Sequence, residues 1–231
     1  MNRYYLAVDI GASSGRHIIG WLNEGKLELK EIYRFENRLI TKNGHLCWDI
    51  DHLANEVIEG IRECGKQGYA PEAMGIDTWA VDFVLLDQEG RRISDAVSYR
   101  DDRTDHIRAE LEENGILTFA EHYAKTGIQY QKFNTVYQLL ALKKEHPEQL
   151  EQAECMLMIP DYLNYLLTGI KAQEYTNAST TALVNAKTND WDEELIQKLG
   201  LPEKIFLKIT EPGTVLGEFS EAIQKETGLN M

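Results

Sequence analysis

Cysteine is scarce in this chain and never clustered. Cys47, Cys64 and Cys155 stand alone among 231 residues, with no CxxC pair and no His/Cys spacing suited to a metal. That excludes a disulfide framework and a zinc module, and it is the pattern of buried thiols in a reducing compartment. Positive charge is also in short supply: 24 Lys and Arg stand against 38 Asp and Glu, a formal net charge of −14. Nucleic acid and anionic membrane both call for basic patches, so neither is expected as a partner. The deficit does not exclude a nucleotide, whose phosphates are held by backbone amides, Mg²⁺ and one arginine. No apolar run reaches 18 residues, and Met1-Asn2-Arg3-Tyr4 does not begin a signal sequence, so a cytoplasmic location is expected. Internal repeats, low-complexity segments and linkers are missing too. What remains is ordinary globular composition, 43% hydrophobic and 27% charged, long enough for one large domain or two small ones.

The chain is organised around Tyr4–Leu22. Tyr4 to Ile10 is a β-branched and aromatic run that predicts a buried strand, with Asp9 near its C-terminal end. Gly11-Ala12-Ser13-Ser14-Gly15-Arg16 follows, two glycines bracketing small residues, and a second apolar run, His17 to Leu22, comes at once. This is strand, tight turn, strand. Small side chains leave backbone N–H groups open to an anion, and two hydroxyls and a guanidinium stand beside them. The P-loop is excluded because no Gly-Lys-Ser/Thr ending or helix follows, and the dinucleotide fingerprint is excluded because it opens a helix. An ordinary hairpin with a glycine-rich turn is the competing reading. Asp9 weighs against it, because a carboxylate ending an apolar strand is costly unless it is used, commonly for a metal or its water shell.

Further along, Lys26 to Phe35 alternates with period two, but Leu27, Leu29, Ile32 and Phe35 change phase once, which predicts a long strand with a bulge. Asn43-Gly44 marks a turn before a short strand, His45–Trp48. A helix is expected from about Asp51, with Leu53, Val57, Ile58, Ile61 and Cys64 on one face and Gly65 and Gly68 at its end. Ala73–Trp79 reads as a strand carrying Asp77, and Phe83–Leu86 as another, with a turn at Asp87–Gly90. Three strands, a helix and a strand predict an α/β domain with a mixed sheet, whose ligands sit at the carboxyl ends of the strands. From Asp102 to about Leu150 the periodicity is helical, broken by a polar-aromatic loop, Gly127–Asn134, suited to a polar ligand. Pro160 opens a helix that Gly169 closes. The hydroxyl-rich Thr176–Thr181 fits either helix capping or a wall of the cleft. Trp191–Leu199 and Ser220–Gly228 read as further helices, with Pro212–Gly217 as loop or strand.

At this point an ordered series of motifs carries a resemblance. Val8–Arg16, Trp48-Asp49, Gly75–Asp87, Tyr99-Arg-Asp101, Phe133-Asn-Thr135 with Tyr137-Gln-Leu139, Pro160-Asp-Tyr162, Leu167-Thr-Gly169 and Glu174–Ala178 resemble the rhamnulokinase family. These are sugar kinases of the FGGY group, built on the ribonuclease H-like fold shared with actin, hexokinase and the Hsp70 ATPase. The resemblance implies that fold here, three antiparallel strands first and helical insertions later. It implies phosphorylation of L-rhamnulose at its 1-hydroxyl by ATP with Mg²⁺. Ala12, Ser13, Ser14, Gly15 and Arg16 would then cradle the ATP phosphates, and Asp9 would hold the magnesium through water. The sugar would lie against Trp79, Ala80 and Asp82, where Ala80 falls at a position that relatives often fill with glycine. Asp77 and Asp82 are acceptors suited to sugar hydroxyls. The resemblance also implies a second lobe of related fold, carrying the aspartate base and the adenine loops, to which no segment here corresponds. The chain is therefore expected to be the N-terminal kinase domain, residues 1–231, with no catalytic base of its own and no turnover alone. The alternatives are a kinase of another ketose or polyol, and a non-catalytic sugar- or nucleotide-binding module.

Overall fold

The computed structural model describes residues 3–231. The chain opens with β1 (Tyr4–Ile10), β2 (Ser14–Asn23), β3 (Lys26–Glu36), β4 (Leu39–Lys42) and β5 (His45–Trp48), followed by α1 (Ile50–Lys66) and β6 (Ala73–Asp77). Four of these strands make one sheet in the order β3-β2-β1-β6, with β1 antiparallel to β2 and parallel to β6. The sheet is thus mixed, as expected. The phase change in β3 is a bulge: pairing passes from His17 opposite Tyr33 to Ile18 opposite Glu31, leaving Ile32 as the extra residue. Past it, Ile32 and Phe35 turn into the core, while Leu27 and Leu29 lie on the other face, 66% and 63% exposed.

Asp49 caps α1, its carboxylate accepting the His52 N–H at 3.2 Å. Leu53, Val57, Ile61 and Cys64 are buried against the sheet. The helix continues through Gly65 to Lys66, and Gly68, at φ +82°, makes the stop. Inside this contact lies His17, wholly buried, whose ring occupies the space that a side chain at position 60 would need; a Cβ on Gly60 would stand 2.2 Å from it. The Val57 carbonyl can only accept, so His17 Nε2–H donates to it at 3.0 Å, and burial pushes the imidazole pKa down to about 4.

β7 (Phe83–Leu86) does not join the sheet. After α2 (Ile107–Glu113), α3 (Phe119–Thr126), α4 (Thr135–Glu145) and α5 (Pro147–Gln152) it is met antiparallel by β8 (Cys155–Met158), which runs into α6 (Ile159–Thr168). This two-stranded ribbon separates two cores, and its alternation serves both. Val84, Leu86, Cys155 and Leu157 face the sheet and α1, whereas Phe83, Leu85, Met156 and Met158 face the helices.

The remainder is β9 (Gln173–Glu174), α7 (Tyr175–Ser179), β10 (Val184–Asn185), β11 (Asp190–Trp191), α8 (Glu193–Lys198), β12 (Ile209–Thr210) and α9 (Glu221–Thr227). The hydroxyl-rich stretch forms α7 and the turn after it. Glu174 caps the helix, accepting the Thr176 and Asn177 N–H groups at 2.9 and 3.1 Å, and the Thr180 and Thr181 hydroxyls bond back to nearby carbonyls. Asp192 caps α8, so that helix begins at Glu193 and leaves Trp191 in a strand. The three cysteines are buried and free. No helix among the described residues is long and apolar enough to cross a membrane. Three parts of the sheet stay open: the outer edges of β6 and β3 are unpaired among the described residues, and the face bearing Tyr5, Leu22, Leu27 and Leu29 is uncovered.

Candidate functional site

The carboxyl ends of β1 and β6 bring one charged cluster together. Register places Asp9 opposite Arg16 on β2 and opposite Asp77 on β6, and Arg16 opposite Arg34 on β3. Arg16 donates from Nε and Nη2 to a single oxygen of Asp9, Oδ2, at 2.9 and 2.8 Å. Both side chains remain almost half exposed, so water screens the pair and its partners are exchangeable. Arg34 is turned to Glu31 instead.

The turn between the two strands is braced from outside. Gly11 N–H donates to Ser14 O at 2.9 Å. Asn37, just past β3, donates its backbone N–H to Ser13 O at 3.1 Å and its side-chain amide to Gly11 O at 2.9 Å. Among the described residues, the amides of Ala12 and Ser13 and the hydroxyls of Ser13 and Ser14 have no partner. They form a small set of unpartnered donors at the end of a sheet, which is what an anion needs. The two glycines differ in purpose. A Cβ on Gly11 would meet nothing closer than 3.6 Å, whereas one on Gly15 would stand 2.1 Å from the Phe35 ring. Gly15 is therefore required by the core beneath the turn as well as by the amides above it.

No group of three or more His, Cys, Asp or Glu among the described residues is placed to hold a metal ion. Asp9 has Oδ1 unengaged among the described residues, with the exposed Asp77 as the only other carboxylate paired to it in the sheet register. That donor set fits Mg²⁺ held through its own waters, and not a protein-lined cage.

A second cluster lies between β6 and β7, where the two cores meet. Asp82 is 1% exposed and accepts four N–H groups: Trp48 Nε1 at 2.6 Å, Trp79 Nε1 at 2.9 Å, the Tyr99 backbone at 3.1 Å and Gln138 Nε2 at 2.9 Å. Arg103 sets the orientation of the Gln138 amide. It donates to Gln138 Oε1 at 2.9 Å, and a guanidinium has no acceptor, so the amide nitrogen must face Asp82. Burial raises the Asp82 pKa to about 6, and the four donors hold it back from going higher.

Just before Asp82 the backbone is strained. Val81 has φ +69°, and Asp82 N–H donates to Ala80 O at 3.0 Å, a γ-turn of the positive-φ kind at a β-branched residue. The Val81 carbonyl is held from α4 by Thr135 Oγ1 at 2.7 Å and Gln138 Nε2 at 3.2 Å. Around this turn stand four rings. Trp48 and Trp79 lie with centroids 4.1 Å apart, Tyr99 is 6.1 Å from Trp48, and Phe133 is 5.5 Å from Tyr99.

The structure thus brings Trp79, Ala80 and Asp82 together as expected, but with the Asp82 carboxylate enclosed. Asp77 is not in that cluster: it is exposed at the end of β6, beside Asp9. Trp48, Tyr99, Arg103, Thr135 and Gln138 carry the architecture of the second cluster, and sequence reading gave none of them a role. They are separated from Asp82 by 17 to 56 residues, a distance at which no local spacing signals contact.

Comparison with known proteins follows the same lines. Residues 4–231 match the FGGY family of carbohydrate kinases, N-terminal domain. A rhamnulokinase of Oceanobacillus iheyensis is 52% identical over 230 residues, covering 100% of this chain and 48% of that protein. A rhamnulokinase of Bacillus subtilis is 49% identical over 214 residues, 93% of this chain and 43% of that protein. The chain spans about half the length of the curated relatives it matches. Among solved structures, a gluconate kinase from Lactobacillus acidophilus superposes with a TM-score of 0.88 at 23% identity, over 99% of this chain and 46% of that one. Plasmodium falciparum glycerol kinase with ADP superposes with a TM-score of 0.78 at 17% identity, over 100% of this chain and 47% of that one. At those identities the solved structures establish the ribonuclease H-like, actin/hexokinase-type fold.

Proposed function

The chain belongs to the FGGY family of carbohydrate kinases, and on that premise we propose that residues 1–231 are the N-terminal lobe of an enzyme that phosphorylates L-rhamnulose from ATP. The observation that carries this reading is the pairing of an open anion turn with an aromatic sugar wall in one lobe, in a chain 52% identical to a rhamnulokinase. Aromatic faces and fixed hydrogen-bonding groups suit a polyhydroxylated ring or chain.

Ala12 and Ser13 offer backbone amides to the phosphates, Ser13 and Ser14 offer hydroxyls, and Gly15 keeps the turn tight over Phe35. Arg16 leaves or shares Asp9 to reach a phosphate oxygen by a charge-assisted bond. Asp9 would hold Mg²⁺ through the ion's own waters, and the metal would supply neutralisation of charge at the phosphates. Trp79 and Ala80 line the sugar, with Asp82 beneath them. In the transfer itself, the sugar 1-hydroxyl oxygen bonds to the γ-phosphorus, the bond to the ADP oxygen breaks, and the hydroxyl proton passes to a base. We assign that base to a C-terminal lobe, on the resemblance to two-lobed sugar kinases and because the chain spans about half the length of the relatives it matches. The unpaired edge of β6 and the uncovered apolar face of the sheet support such a lobe, being surfaces a folded protein covers. The compartment consistent with an ATP-dependent catabolic enzyme and three free thiols is the cytoplasm.

The neighbours with the same fold act, by their names, on gluconate, xylulose and glycerol, so the sugar is the part of the reading most open to change. The test is ADP release by the full-length protein against a panel of ketoses and polyols with Mg-ATP. L-Rhamnulose is expected to give the highest kcat/KM; a higher value for another ketose reassigns the substrate, and no sugar-dependent turnover overturns the kinase reading.

A further inference from the structure

Asp82 is 1% exposed and accepts four hydrogen bonds, so its carboxylate is committed to the protein interior and not to a ligand. Oδ2 accepts three N–H groups, from Trp48, Trp79 and Tyr99, and Oδ1 accepts from Gln138. Every partner is an N–H, and none can reverse its role: two are indoles, one is a backbone amide, and the Gln138 amide is locked by Arg103. The three partners on Oδ2 come from the end of β5, from the turn after β6 and from the segment after Val97, and the fourth comes from α4. One carboxylate therefore joins four separate stretches of chain. The same side of the turn holds Val81 in its positive-φ conformation, because Gln138 donates both to Asp82 and to the Val81 carbonyl.

We propose that Asp82 is a positioning residue for the sugar: it gathers Trp48, Trp79, Tyr99 and Gln138 around one buried carboxylate, and so fixes the ring wall and the strained turn that presents Ala80. This rests on the sugar-kinase reading above and deepens it, moving Asp82 from ligand contact to scaffold. An ionised carboxylate suits the task because it accepts from all four donors at once, whereas any neutral replacement of the same shape faces at least one of them with a donor of its own. In Asp82→Asn the amide nitrogen faces either the two indoles or Gln138, and Gln138 cannot turn to accept it while Arg103 holds its oxygen.

The experiment measures KM for sugar and for Mg-ATP, with kcat, in the full-length protein and its D82N, W79F and W48F variants. W79F keeps a ring and removes one donor. Because Trp79 also lines the sugar, it is read beside Trp48→Phe, which removes the Asp82 donor of a buried ring and serves if D82N does not fold. Sugar KM is expected to rise about tenfold in D82N and about threefold in W79F, with Mg-ATP KM within about twofold of the parent, because the anion turn lies in a different cluster. A parallel rise of both constants, or an unchanged sugar KM in a folded D82N, overturns the proposal and leaves Asp82 a part of the general core. The parent's own activity separates the two questions. If the parent phosphorylates a ketose and D82N keeps its sugar KM, the positioning role fails alone; if the parent turns over no ketose, the kinase reading fails first.

Discussion

Asp9 and Asp82 are both aspartates at strand ends, and the molecule treats them in opposite ways. Asp9 is almost half exposed, shares one oxygen with one flexible arginine and stands beside amides with no partner among the described residues. Asp82 is sealed, with three donors on Oδ2 and one on Oδ1, all of fixed position. A carboxylate that must exchange partners during a reaction is kept wet and loosely held. One that must keep four segments in register is kept dry and saturated. On the proposed reading, the half assigned to phosphate is thus built for exchange, and the half assigned to the sugar for preorganisation.

The largest effect should come from the exchangeable partner. Asp9→Asn in the full-length protein is expected to lower kcat about 100-fold, or about 2.7 kcal/mol, while sugar KM stays within twofold. Turnover that is unchanged across magnesium concentrations would make Asp9 structural and remove the contrast. Next in size is the floor of the turn. Gly15→Ala drives a methyl into Phe35 and should destabilise the chain by about 1–3 kcal/mol in urea, whereas Gly11→Ala, in open space, should shift stability by less than about 0.5 kcal/mol. Equal destabilisation by both would mean that Gly15 is not packed as described.

Much of this was legible beforehand, for reasons that are local. The bulge in β3 shows as a phase change, α1 as a stripe, and the anion turn as glycines bracketing small residues after Asp9. The Thr176–Thr181 stretch was open to two readings, because hydroxyls serve caps and ligands alike, and the structure engages them locally. The sugar wall was legible only as Trp79, Ala80 and Asp82. Its remaining parts come from β5, from the segment between β7 and α2, from the loop before α4 and from α4 itself, and contact between residues up to 56 positions apart leaves no periodic trace. Asn37 was missed at the anion turn for the same reason, reaching Gly11 across 26 positions.

A graded effect is expected at His17 in β2, growing as the pH falls. His17 is buried neutral, its pKa lowered from 6.5 to about 4, so between those values the unfolded chain binds more protons than the folded one. Stability from this group is present above about 6.5 and lost as pH falls toward 4, with about 1 kcal/mol gone by pH 6. Asp82 acts with the opposite sign, since its raised pKa of about 6 makes the folded state the better proton binder between the ordinary aspartate value and 6. Urea midpoints measured from pH 7.5 to 5 on the parent and His17→Gln check this. The variant should lose less stability on acidification than the parent, and identical slopes would mean that His17 is not buried neutral.

The most direct test of the division of labour is a coupled ADP-release assay with L-rhamnulose and Mg-ATP, run side by side on this 231-residue chain and on the full-length protein. Phosphoryl transfer depends on positioning and charge stabilisation across a closed cleft, and one wall of that cleft is assigned to the second lobe. The account predicts sugar-dependent ADP release by the full-length protein and none above the sugar-free background by the chain alone. Sugar-dependent release by the chain near the full-length rate, free of host kinase, would contradict it and place the base among these residues.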